Sequence, residues 1–84
     1  MEIVEELENV IEADFPDSEI HIEMDKSTRK VSGFLVWNGF DSLDQTDRQK
    51  RLWDVLRDRL GPNAVRVSMI FTYTPQEYEL LMAS

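Results

Sequence analysis

Apolar residues at Ile3, Val4, Leu7, Val10 and Ile11 recur every three to four positions with glutamates between most of them, which predicts an amphipathic helix from Glu2 to about Ala13. Pro16 ends it, Asp14 to Ser18 has the composition of a turn, and Phe15 is expected to fold back onto the core. The period then changes to two. Ile20, Ile22 and Met24 alternate with His21, Glu23 and Asp25, as in a strand with one wet face. Lys26 to Lys30 forms a polar loop, and Val31 to Phe40 reads as a second strand joined to the first as an antiparallel hairpin. In that strand Gly33, Leu35 and Trp37 fall on one side, and Phe34 and Val36 on the other. Either the strand is central and covered on both faces, or one face is an exposed patch for a partner.

From Asp44 to Leu60 the helical period returns. At 100° per residue Leu52, Trp53, Val55, Leu56 and Leu60 share one arc, which places Trp53 in the core, while Asp47, Asp54 and Asp58 lie opposite. Gly61-Pro62-Asn63 stops this helix. Val65, Val67, Met69, Phe71 and Tyr73 alternate as a third strand, which puts Arg66 on its outward face. Thr74-Pro75-Gln76-Glu77 is a capping box with a hydroxyl at the N-cap, Pro at the first helical position and Glu at the third. A short helix is expected through Leu80, Leu81 and Met82.

With 84 residues and no repeats or linkers, the chain is expected to be one domain over residues 1–84. It has no Cys, so a disulfide or thiol redox chemistry by this chain alone is excluded, and packing must supply the stability. No apolar run is long enough to span a bilayer, and the acidic start is unlike a signal peptide, so a cytoplasmic protein is expected; a monomer is expected as well. The net charge is -8 and unevenly placed: residues 1–30 carry ten carboxylates against three bases, residues 31–84 seven against six. Such a balance repels phosphate backbones and anionic membranes at long range.

Catalytic constellations are absent from the sequence. There is no Ser/His/Asp or Cys/His set and no Gly-rich phosphate loop, and a lone His21 cannot build a metal site, so neither an enzyme nor a cofactor is expected. Arg48, Arg51 and Arg59 lie along one edge of the long helix, and Arg66 extends the stripe, a pattern able to neutralise phosphates. The competing reading is a salt-bridged helix edge, with Asp47 one turn before Arg51.

Glu6-Leu7-Glu8 leading to Phe15-Pro16, the strand Ile20 to Asp25, Phe40, Arg48-Gln49-Lys50, Trp53, and Thr72-Tyr73-Thr74-Pro75 with Glu77 together resemble the BolA family, across essentially the whole chain. The resemblance implies an α+β domain of the class II KH-like type, in the order α-β-β-α-β-α. It has a mixed three-stranded sheet, with the first two helices on one face. It also implies a non-enzymatic interaction or regulatory protein with a monothiol glutaredoxin or another protein as partner. Nucleic-acid binding, as in KH-like regulators, is the alternative. Three positions depart from the family pattern. Ser42 stands where Gly is usual, Gln49 where His is usual, and Arg66 where a His can ligate a shared iron-sulfur cluster. A guanidinium offers no lone pair to a metal, and the hairpin loop supplies no His or Cys. Cluster binding in the family's manner is therefore not expected, and the Gly-x-x-Gly loop of KH domains is missing too.

Overall fold

The computed structural model describes residues 2–83. Helix α1 spans Ile3–Asp14, followed by β1 (Glu19–Met24), β2 (Val31–Val36), a 3-10 turn at Asn38–Phe40 and the long helix α2 (Gln45–Leu60). A second 3-10 segment at Gly61–Arg66 leads to β3 (Val67–Tyr73) and α3 (Pro75–Ala83). The strands form one mixed sheet in the order β1-β2-β3, with β1 antiparallel and β3 parallel to the central β2. The parallel pairing is possible because α2 and its flanking turns form the long crossover that such a pair requires.

The amphipathic stripe of α1 buries Ile3, Leu7, Val10 and Ile11, and that of α2 buries Leu52, Leu56 and Leu60. Both stripes meet Val31, Leu35 and Ile70 from the sheet, together with Phe15 and Phe40, in a single core. Phe15 does fold back, as expected, and is fully buried. Trp53 differs from expectation. It is only partly buried, packed against the core from its margin, because the stripe of α2 is narrow and centred on Leu52 and Leu56.

The termini of the helices follow their local chemistry. Asp44 caps α2 by accepting from the Asp47 amide at 2.9 Å, and Gly61, with φ +58°, ends the helix in a conformation that L side chains rarely adopt. The capping box at α3 closes both ways: the Thr74 amide donates to Glu77 Oε1 at 2.9 Å, and the Glu77 amide donates to Thr74 Oγ1 at 3.1 Å.

Two strand boundaries fall short of the sequence reading. β2 stops at Val36, since Trp37 leads into the 3-10 turn that ends at Phe40. β3 starts at Val67, so Arg66 closes the preceding 3-10 segment and is not a strand residue; Val65 is exposed there. Within β3 the ladder pairs Val31 with Val67 but Ser32 with Met69, leaving Ser68 as a bulge. One extra residue inverts the facing of everything beyond it. Hence Val67, Ile70 and Thr72 are buried, and Met69 and Phe71 are exposed although they continue the alternation that begins at Val65.

Candidate functional site

The register defines what the sheet presents on the side away from α1 and α2. Three cross-strand rows run over it: Glu23, Ser32 and Met69; then His21, Phe34 and Phe71; then Glu19, Val36 and Tyr73. Helix α3 sits over the last row. Its Tyr78 ring lies 5.2 Å from that of Phe34, 6.4 Å from Tyr73 and 6.4 Å from His21. His21 itself stacks on Phe34 at 4.6 Å with its Nε2 3.2 Å from the Glu19 carboxylate. The lone histidine is thus a packing residue of the open face.

Toward β3 and α3, what this face leaves uncovered is apolar. Met69 is 51% exposed and Phe71 54%, and α3 contributes no buried residue, with Leu80 at 67%, Leu81 at 51% and Met82 at 66%. Sequence reasoning missed Met69 and Phe71 as surface residues because the bulge at Ser68 carries no signature in the sequence. A run of exposed large apolar side chains on one side of a small domain marks an interaction surface more often than chance exposure does.

The arginines of the expected stripe are not gathered for phosphate. Arg48 is 5% exposed. Its guanidinium clamps Glu77 through Nη1 to Oε1 at 2.6 Å and Nη2 to Oε2 at 3.2 Å, and its Nε donates to the carbonyls of Phe40 (3.1 Å) and Leu43 (2.8 Å). The Arg48 guanidinium, with the Thr74 amide, holds the Glu77 carboxyl below its usual range. Arg51 lies over Trp37 at 5.2 Å and Phe15 at 5.8 Å, in place of the expected pairing with Asp47. Arg59 Nη1 is 3.1 Å from Asp14 Oδ2, an ion pair whose geometry leaves that buried oxygen without a hydrogen bond. Arg66 is half-buried at the far end of α2 from Arg48. A continuous basic edge is therefore not formed, since Arg48 points inward as a structural strut and Arg51 and Arg59 are engaged with other elements.

Trp37 takes the covered alternative and not the exposed patch, so it does not join an interaction surface with the arginines. Its Nε1 donates to the Pro16 carbonyl at 3.0 Å, and its ring meets Phe15 and Phe40 edge-on at 5.0 and 5.1 Å. Gly39 sits against this ring, where a Cβ would collide with the indole. Together Phe15, Trp37, Phe40 and Arg51 tie the α1–β1 connection to the β2–α2 connection. The loop between β1 and β2 is ordered by Asp25, whose carboxylate accepts from the Ser27 and Thr28 amides; the Thr28 amide and then the Ser27 hydroxyl hold its carboxyl below the usual range. Among the described residues no three His, Cys, Asp or Glu side chains converge on a point where a metal could sit, and no helix is long and apolar enough to cross a membrane.

No family model and no curated protein matches the chain. Its structure is similar to that of the BolA domain of SufE1 from Arabidopsis thaliana, with a TM-score of 0.69 and 18% identity over 84% of this chain and 90% of that one. Element order, sheet topology and this likeness agree: the chain has the BolA-like α+β fold.

Proposed function

We propose that this protein is a non-enzymatic interaction module whose contact surface is the open face of the sheet together with α3. The observation that carries the reading is the bulge at Ser68, which brings Met69 and Phe71 to the surface on the side where α3 also leaves Leu80 and Met82 in solvent. Burying such side chains in a complex stabilises it by about 1.5 to 3 kcal/mol for each one fully covered. The BolA-like fold makes a monothiol glutaredoxin, bound without a shared cluster, the first partner to try. Arg66 and the His-free, Cys-free hairpin loop favour the cluster-free mode.

The test is a titration of monothiol glutaredoxin into the wild type and into a Phe71→Glu, Leu80→Glu double variant, followed by calorimetry, with a cross-linked cell extract probed in parallel. The expected result is a partner bound by the wild type and lost in the double variant, whose circular dichroism is unchanged. A partner bound equally by both proteins, or no specific partner in either arm, contradicts the reading.

A further inference from the structure

The sheet has two edges, and they are treated differently. At β3 the carbonyls of Ile70 and Thr72 are bonded by side chains of α2, Gln49 Nε2 at 2.9 Å and Gln45 Nε2 at 3.1 Å, so that edge is covered. β1 pairs with β2 alone, and its six residues alternate between exposed and half-buried. One groove lies against it and a second opens from it onto the sheet. One, of about 540 Å³, lies between α1 and the start of β1 and is lined by Glu8, Glu12, Phe15, Asp17 and Ile20 among others. The other, of about 810 Å³, shares Glu8 and Ile20 with the first and extends from the edge across His21, Phe34, Met69 and Phe71 of the open face. At this edge Ile20 and Ile22 lie among Glu8, Glu12, Asp17 and Glu23, and neither groove has a Lys or Arg in its lining.

We infer that the free edge of β1 accepts an extended cationic peptide segment as a fourth strand. An unpaired strand edge supplies main-chain hydrogen bonds to an extended chain, and the side chains that flank it select the sequence. Apolar residues of the peptide would rest on Ile20 and Ile22, on the α1 side, while the alternate basic residues meet Glu19 and Glu23 on the other side of the edge. A second copy of this chain would meet its own charge at this edge, since β1 carries Glu19 and Glu23 and no Lys or Arg. Antiparallel pairing of two β1 strands centred on His21 sets Glu19 of each copy against Glu23 of the other, and like charges directly opposite are destabilising. The inference goes beyond the open-face reading, because here the ligand-binding element is a backbone edge.

The probe is a labelled synthetic peptide of about eight residues alternating lysine with isoleucine, long enough to pair with a strand of ordinary length. Its binding is followed by fluorescence anisotropy, and its footprint by amide proton exchange. The expected result is saturable binding that slows exchange in Glu19–Met24. It should weaken several-fold in a Glu19→Gln, Glu23→Gln variant. It should weaken at least as much for the same peptide with alternate backbone amides methylated, a control that does not depend on how the variant folds. Equal binding of the methylated peptide, a footprint away from β1, or self-association through β1 with no peptide bound would each overturn the inference. A chain that binds its protein partner through Phe71 and Leu80 but ignores the peptide would overturn this inference alone.

Discussion

Arg48 shows how one side chain can hold three connections at once. It reaches from α2 to Glu77 of α3 and to the carbonyls of Phe40 and Leu43 in the turn between β2 and α2. Arg48→Ala leaves the Phe40 carbonyl without this donor and releases α3, and is expected to cost about 2 to 4 kcal/mol in chemical denaturation. Arg48→Lys should recover little of it, because an ammonium cannot reproduce the two parallel bonds to a carboxylate. The partner carboxyl gives the arrangement a pH dependence. The folded-state pKa of Glu77 is lowered, so its contribution to stability is present above the unfolded value of about 4.5 and is lost as the pH falls through the folded value. Melting curves between about pH 6 and pH 3 should therefore drop more steeply for the wild type than for Glu77→Gln. Glu77 was legible as half of a capping box from the Thr74-Pro75-Gln76-Glu77 spacing. Its second duty was not, because Arg48 lies 29 residues away and only the tertiary fold brings the two together.

At the scale of elements, hydrophobic period was a sound guide to what each segment is and a weaker one to which way it faces. The first two helices and the three strands stand where the hydrophobic pattern places them, because each buries one stripe or face against a single core, and α3 stands where the capping box places it although it buries no residue. The facing of β3 was not legible. Its bulge depends on how Val31 and Ser32 meet Val67 and Met69, a matter of pairing between strands far apart in sequence. Trp53 was misplaced for a related reason, since a helical wheel locates an arc but not its width. Trp53→Ala is accordingly expected to cost about 1 to 2 kcal/mol, against about 3 to 5 for the fully buried Phe40→Ala. In a domain of this size each kcal/mol lowers the melting temperature by about 4 to 8 °C, so the two variants separate readily. Equal losses would place Trp53 in the core after all. The β1–β2 hairpin offers a further check: a Cβ at Gly33 would collide with the His21 carbonyl, so Gly33→Ala should cost at least about 2 kcal/mol and disturb β1 first in amide exchange.

The whole molecule is asymmetric in charge and in polarity. Its carboxylate excess lies in α1 and β1, whereas its exposed apolar side chains lie on β3, α3 and the turn before β3. Two faces of the sheet thus have different roles. One is filled by α1 and α2 and makes the core; the other is only partly covered by α3 and is the surface that the account assigns to a partner. The arginine edge of α2, which sequence alone offered as a phosphate-binding stripe, is broken by the inward turn of Arg48 and by the engagement of Arg51 and Arg59 with Trp37 and Asp14. The most direct test is amide hydrogen exchange across the chain, measured with and without the protein partner that the wild type binds. The account predicts protection concentrated in Val67–Tyr73 and Pro75–Ala83, with the solvent-facing side of α2 unchanged. Protection confined to α2 around Arg51 and Arg59, with β3 and α3 exchanging as they do in the free protein, would contradict it.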